Sequence, residues 1–238
     1  MGGPAETLRM VQPTRTHTTR RHDQCETRPM TPLRRSAGLW GPLSFGVAAF
    51  AAARRQPGYS HCSDHVSGLA ALGEPSATLM IPGFLALGAS SLLLDTPTRT
   101  LSKVSRAAGL TTIAAGLIRV SAPRCPQPGF DPTATSSDAG HAAASIATFA
   151  LWTAMPFIAA QEPRPVWYRR TARVLSVSTL ASFVAAGATT RVDSPHKGFA
   201  QRAFLCSVFV FYAATSCTIP GARAPGIGRR TRMSRATG

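Results

Sequence analysis

Residues 139–160 read AGHAAASIATFALWTAMPFIAA. The run contains no Asp, Glu, Lys or Arg, and its one histidine, His141, lies near its start. A helix crosses the ~30 Å hydrocarbon core of a bilayer with about 20 mostly apolar residues. Because the run has that length and composition, it predicts a transmembrane helix.

Five further runs have a similar character, so the chain is predicted to be an all-α, polytopic membrane helical bundle of six transmembrane helices within residues 37–219. A soluble, Ala-rich helical bundle is the alternative, but it would carry a charged face along each helix. The six runs contain only four charged residues, three of them within two turns of an end. The remaining runs are 37–53, 76–94, 104–122, 172–190 and 199–219.

Charged residues are scarce and unevenly placed. They make up 15% of the chain, yet 26 Lys and Arg against 10 Asp and Glu give a formal net charge of +16. Such basicity is also typical of nucleic-acid-binding proteins, which combine a basic face with stacking aromatic side chains. Aromatic residues are only 7% here and lie mostly inside the apolar runs, so we expect no nucleic-acid partner.

The basic residues predict the orientation, because cytoplasmic loops of membrane proteins are enriched in Lys and Arg. With the N-terminus inside, 19 basic residues lie on the inner side and 6 on the outer side, with Arg119 counted inside the membrane. The sequence therefore predicts an N-in, C-in protein of the cell (plasma) membrane, which in a bacterium is the inner membrane.

The two tails lie outside this predicted membrane domain. Residues 1–36 are polar and basic without periodicity, which predicts disorder. Met30 opens a short basic flank and offers an alternative start of translation, and we find no cleavable signal peptide. Residues 220–238 are predicted to form a basic cytoplasmic tail that binds anionic lipid headgroups in addition to the bilayer. The sequence does not predict an oligomeric state.

Acidic residues and histidines are concentrated in the loops predicted to face outward. Imidazole and carboxylate groups are ligands of Zn²⁺, and three such ligands leave a position for a reactive water. We therefore consider a divalent metal such as zinc, with candidate ligands His61, His65 and His141. As acid–base groups without a metal, the candidates are His141, Asp138 and Asp131.

Each of these residues also has an ordinary structural explanation. Asp138 precedes the fourth run, where an N-cap is expected, and Asp193, Ser194 and Pro195 are typical of a turn. Capping and interhelical hydrogen bonds are therefore the alternative to a reactive site. Cys62 and Cys125 both fall in predicted outward loops, so a Cys62–Cys125 disulfide is a further prediction.

Three sequence elements resemble those of a known family. They are Ser67 with Gly73 before the second span, Gly140-His141 at the start of the fourth, and Gly198 with Gln201-Arg202 at the start of the last. In this pattern the chain resembles the bacterial multi-pass membrane proteins known as domain of unknown function 998. The resemblance covers about residues 37–219 and implies a six-span bundle without an assigned activity.

The resemblance also implies that Ser67, His141 and Arg202 line one outer pocket. Ser67 thereby joins the candidate catalytic residues, while Gln201 and Arg202 are treated as structural. His61 and His65 are not part of the family pattern.

Two functions from different classes follow from the sequence. The first is a non-enzymatic six-span membrane protein with a structural, sensory or stress-related role. The second is an outward-facing hydrolase, dependent on a metal or on acid–base groups, that acts on a lipid or envelope substrate. A transporter is disfavoured, because the halves show no repeat and no acidic residue lies in mid-membrane.

Overall fold

The structure, a computed structural model, describes residues 32–96 and 98–218. The predictions for residues 1–31 and for the C-terminal tail from 219 onward therefore lie outside the described residues. Residues 32–35, which belong to the predicted disordered tail, form one helical turn, α1 (Pro32–Arg35).

Six long helices make up the described part of the chain, which contains no strand. The prediction of an all-helical fold is thus confirmed. A short 3₁₀ helix, Val66–Ala70, lies in the connection between the first two long helices. The long helices are α2 (Ala37–Ala53), α3 (Ala77–Leu93), α4 (Arg99–Leu117), α5 (Ser136–Ala159), α6 (Val166–Arg191) and α7 (Lys197–Cys217).

These six helices form a closed ring, because each packs against the next and α7 packs back against α2. The chain enters and leaves at one end, where the Gly38 amide donates to Ser216 Oγ at 3.0 Å. We call this the terminal end. It also carries the α3–α4 and α5–α6 connections, which are joined by a hydrogen bond from Thr98 Oγ1 to Glu162 Oε1 at 2.6 Å. The opposite, loop end carries residues 54–76, 118–135 and 192–196.

Small residues allow the helices to approach closely. A Cβ atom added to Gly109 on α4 would lie 2.7 Å from the Gly88 carbonyl oxygen on α3. A Cβ atom on Gly41 would similarly meet the Ser90 hydroxyl at 1.8 Å. Such contacts are typical of helices that associate without a hydrophobic driving force.

The interior of the ring holds polar side chains that bond to one another. The Tyr212 hydroxyl lies 2.6 Å from Ser91 Oγ and accepts from Trp152 Nε1 at 2.9 Å. These bonds join α3, α5 and α7, and all three side chains are buried. Buried polar groups specify the packing when each finds a partner.

The exterior of the ring is apolar, with large side chains such as Leu43, Val174 and Val177 each about two-thirds exposed. Three helices, α5, α6 and α7, are long and apolar enough to cross a membrane. The shorter α2 and α3 are also apolar, whereas α4 begins with Arg99, Lys103 and Arg106. The structure is thus that of a membrane protein with several helices suited to a bilayer.

We predict that Gly109→Ala destabilises the protein by about 1–3 kcal/mol, because the new methyl group overlaps the α3 backbone. The matched control is Gly46→Ala on α2, where an added Cβ meets no atom within 4 Å. That variant gains about 1 kcal/mol of helix propensity. Thermal unfolding in detergent measures both, and equal midpoints for the two variants would contradict the close approach of α3 and α4.

Candidate functional site

A cavity of about 710 Å³ opens at the loop end, between the 3₁₀ helix, residues 120–132 and the ends of α5, α6 and α7. Its volume falls in the range of small-molecule sites, about 300–1,000 Å³. Several residues singled out from the sequence line this one cavity, although the sequence places them in different segments. They are His65, Ser67, Asp131, Asp138, His141 and Gln201.

The cavity is polar near the loops and apolar towards the middle of the bundle. Near the loops its lining includes Arg124, Arg191 and Lys197, whereas towards the middle of the bundle it includes Phe149 of α5 and Phe183 of α6. Residues of both α5 and α6 line it, among them Ile146, which exposes 61% of its surface. The cavity therefore extends along the groove between α5 and α6.

The cations at the rim are not equivalent. Arg124 lies 3.5 Å from Asp131, and Lys197 pairs with Asp193. Hydrogen bonds from Thr133 and the Arg124 charge lower the pKa of Asp131, so this carboxylate is ionised at neutral pH. Arg191 stacks over the Phe130 ring at 5.7 Å instead, and no described carboxylate lies within 4 Å of it.

His141 lies one turn inside α5 and is buried. Its Nδ1 lies 2.8 Å from the carbonyl oxygens of both Ala115 and Ile118, at the end of α4. Carbonyl oxygens only accept, so Nδ1 carries the proton and donates to them. In the neutral ring Nε2 is then an acceptor, and it lies 3.2 Å from Ser145 Oγ.

Ser145 is a cavity residue that sequence reasoning missed. It lies four residues after His141, one helical turn further along the same face of α5. That spacing was a visible signal, but serines are common in the Ala-rich runs and nothing in the sequence set this one apart.

A small void of about 20 Å³ lies beside the cavity and shares Ser67, Ser145, Phe149 and Gln201 with it. A space of this size is about that of one water molecule, and most of its lining is apolar. Among the described residues, none hydrogen-bonds the Ser67 hydroxyl.

The Asp138 carboxylate is fully engaged in hydrogen bonds. It accepts from the amide and hydroxyl of Ser121 at 2.7 and 2.6 Å. It also accepts from the Thr135 amide, while Thr135 Oγ1 accepts from the Asp138 amide, which forms a capping box. The N-cap is thus Thr135 and not Asp138 as predicted. This arrangement favours the structural explanation of Asp138.

Two of the three predicted metal ligands, His65 and His141, line the cavity, whereas His61 does not. The described residues contain no group of three His, Cys, Asp or Glu side chains that could hold a metal ion. His65 is buried against Thr190 Oγ1 at 3.3 Å, and burial lowers its pKa to about 4, so its ring is neutral at pH 7. His61 lies outside the cavity lining, with its ring edge-on to Tyr59.

The predicted Cys62–Cys125 disulfide is not formed, because both cysteines are free thiols. Cys62 is exposed. Cys125 is buried and directs Sγ to the Pro123 carbonyl at 3.6 Å, close to Gly68 of the 3₁₀ helix. Burial raises the pKa of the Cys125 thiol to about 12, so the unreactive thiol predominates at neutral pH.

Arg202 anchors the loop that precedes the 3₁₀ helix. Its guanidinium donates to the carbonyl oxygens of His61 at 2.6 Å and Asp64 at 3.0 Å, and to the Tyr59 hydroxyl. It does not line the cavity, which corrects the expectation for this residue. Its neighbour Gln201 does line the cavity, and Gln201 Oε1 accepts from the Val66 amide at 2.8 Å.

Gly198 and Arg119 complete this anchoring of the loop. A Cβ atom on Gly198 would lie 2.4 Å from the Asp64 carbonyl oxygen, so the loop rests directly on the first turn of α7. Arg119 donates to the carbonyl oxygens of Ala70 and Ala71. It follows the end of α4 at Leu117, so its predicted position inside a membrane helix was wrong.

We predict that Arg202→Met increases alkylation of Cys125 by N-ethylmaleimide at least about tenfold. Hydrogen bonds to a charged group contribute about 1.5–3 kcal/mol each, and 1.4 kcal/mol corresponds to a factor of ten. Peptide-level mass spectrometry measures the alkylation. The control is Arg54→Met at the same end, where Arg54 stacks on Phe50 at 4.2 Å. Equal alkylation in both variants would show that Arg202 does not hold the loop.

Comparison with known proteins agrees with the resemblance drawn from the sequence. The model of a family described as a protein of unknown function (DUF998) matches residues 39–218. No curated protein and no solved structure matches the chain. The match includes the 3₁₀ helix, α3 to α7 and most of α2, and with them every residue of the cavity. The chain therefore belongs to the DUF998 family of proteins of unknown function.

Proposed function

We propose that the chain is an integral membrane protein that crosses the bilayer six times, with both termini in the cytoplasm. We propose further that its loop-end cavity binds an amphiphile from the outer leaflet. The observation that carries this proposal is the polarity of the cavity. It is polar and hydrogen-bonding near the loops, where Arg191 has no described carboxylate within 4 Å, and it is apolar towards the bundle centre between α5 and α6.

Six crossings are supported by the closed ring. Because α4 packs between α3 and α5, it lies in the same environment as those two apolar helices. Its three basic residues lie in the first eight positions, and residues 107–117 contain no charge. Long basic side chains at a helix end reach the interface, so α4 is compatible with a crossing.

The proposed orientation depends mainly on the tails. Within residues 32–218, nine Lys and Arg belong to the terminal end and seven to the loop end. The N-terminal and C-terminal tails add ten more to the terminal end. Since short basic flanks of membrane helices are retained in the cytoplasm, the loop end faces outward.

An amphiphile fits the cavity because both have one charged end and one apolar end. Arg191 is available to an anionic headgroup, because no described carboxylate lies within 4 Å of its guanidinium. Phe149, Phe183 and Ile146 provide a surface for an acyl chain. Both the sensory function and the hydrolase function require such a ligand, whereas a purely structural function does not.

The orientation is tested with a small membrane-impermeant maleimide applied to intact cells. Cys62 is exposed at the loop end, and we expect it to be labelled. A cysteine introduced by Gln161→Cys, at an exposed position in the α5–α6 connection, should react only after the cells are opened. Labelling of Q161C but not of Cys62 in intact cells would reverse the orientation.

Binding is tested by native mass spectrometry with 1-palmitoyl-2-oleoyl phosphatidylglycerol. Gly187 lines the cavity, and an added Cβ meets no atom within 4 Å, so Gly187→Trp fills the cavity without a backbone clash. We expect the bound phospholipid to be lost in that variant.

Ala188→Trp is the matched control, because Ala188 is exposed on the same helix and does not line the cavity. We expect it to retain the phospholipid. Retention of the same lipid stoichiometry by both variants would show that the lipid binds elsewhere.

A further inference from the structure

We propose that Ser145 and His141 form a hydrolytic site for a long-chain acyl ester, with Ser145 as nucleophile and His141 as general base. This inference rests on the proposed function, because the substrate is an amphiphile held in the loop-end cavity. It requires no metal ion. It also replaces Asp138 and Asp131 with Ser145 as the partner of His141.

The geometry of the pair is that of an activated serine. Such a serine has a base within hydrogen-bonding reach and a third group that orients the base. His141 Nε2 lies 3.2 Å from Ser145 Oγ. The orienting group is the end of α4, whose Ala115 and Ile118 carbonyl oxygens hold the proton on Nδ1. The free lone pair of the imidazole therefore faces the hydroxyl.

Ser145 differs in this respect from other hydroxyl residues of the same helix. A Ser or Thr inside a helix commonly donates to the carbonyl four residues earlier. Thr148 and Thr153 do so, to Ala144 and Phe149. Ser145 makes no such bond to any described carbonyl, and its one hydrogen-bond partner is the imidazole. Its hydroxyl is thus directed by the base and not by the helix backbone.

The surroundings provide what an ester carbonyl needs. The Ser67 hydroxyl lacks a described partner and lines the same void as Ser145 and Gln201. Gln201 Oε1 is held by the Val66 amide, which fixes the position of its side-chain NH₂. We assign Ser67 and the Gln201 amide as donors to the carbonyl oxygen, which becomes negatively charged on attack. The acyl chain extends towards Phe149 and Phe183.

The reaction is balanced with water as the only co-reactant. Ser145 Oγ bonds to the ester carbonyl carbon while its proton passes to His141 Nε2. The carbon–oxygen bond to the alcohol then breaks, and the alcohol leaves with that proton. Water attacks the acyl-serine ester, its proton passes to His141, and the carboxylic acid and the free serine are released with the proton returned to Oγ.

The test uses the full-length protein in nanodiscs containing phosphatidylglycerol, treated with hexadecyl fluorophosphonate. This probe loses fluoride when an activated serine hydroxyl bonds to its phosphorus. We expect one adduct per chain by intact mass, located on Ser145 by peptide mapping of the wild-type protein. Because the mapping uses the wild type, it does not depend on whether a variant folds.

Three variants separate catalysis from packing. Ser145→Ala should form no adduct. His141→Asn keeps an amide donor near the position of Nδ1 but removes Nε2, so we expect the melting temperature to change little. The labelling rate of that variant should fall at least about 100-fold, in line with the loss of a general base. Ser182→Ala is the control, since Ser182 lies on α6 outside the cavity lining, and it should be labelled like the wild type.

The outcomes are distinguishable from those of the binding experiment. Phosphatidylglycerol bound in the cavity without a fluorophosphonate adduct would overturn the hydrolytic inference and leave the binding proposal in place. An adduct mapped to Ser67 would overturn the assignment of Ser145. Equal labelling rates for wild type and His141→Asn would exclude His141 as the base. Absence of both lipid and adduct would overturn both proposals.

Discussion

Polar groups inside the ring of helices have to be paired within the protein, and this requirement shapes the bundle. An unpaired polar group away from water costs about 1–3 kcal/mol. Most hydroxyls in the interior therefore donate to a carbonyl of their own helix or to a neighbouring helix, as Thr112 does to Ala108 and Ser105 to Ser91. Where a buried group departs from this rule, the departure carries information.

The departures fall at the two ends of the bundle. At the loop end, the Ser67 hydroxyl lacks a described partner and Ser145 bonds to an imidazole. At the terminal end, Glu162 Oε2 and the Nε atoms of Arg164 and Arg169 are buried without a described partner. The departures at the loop end adjoin a cavity of ligand size.

The elements that resemble the family pattern have separate physical tasks in this chain. Gly198, Gln201 and Arg202 provide the surface and the hydrogen bonds that hold residues 59–66 on α7. Gly140 lets α5 approach Ile118 closely, and His141 bonds to the last carbonyls of α4. These contacts place Ser67 of the 3₁₀ helix at the same cavity as His141. The pattern is therefore explained by how the loop end is assembled.

The sequence by itself determined the helices and the apolar character of the bundle. Long uncharged runs such as 139–160 permit little other than apolar helices, because length and composition are local properties that neighbours do not alter. The sequence also indicated the family, since the motifs Gly140-His141 and Gln201-Arg202 are local features of the chain. Helix ends were less predictable: α4 begins at Arg99 and ends at Leu117, five residues before each end of the predicted run 104–122, and its basic first turns are helical.

Only the tertiary structure decided which side chains meet. The sequence offered His61, His65 and His141 together as candidate metal ligands, yet the structure places His61 outside the cavity, His65 against α6 and His141 against α4. Cys62 and Cys125 lie in two different loops at the same end of the bundle, where Cys62 is exposed and Cys125 is buried. Ser145 faces the unprotonated imidazole nitrogen because the carbonyls of α4 hold the imidazole proton on the far nitrogen. Such relations depend on the packing of distant segments, and no local pattern in the sequence encodes them.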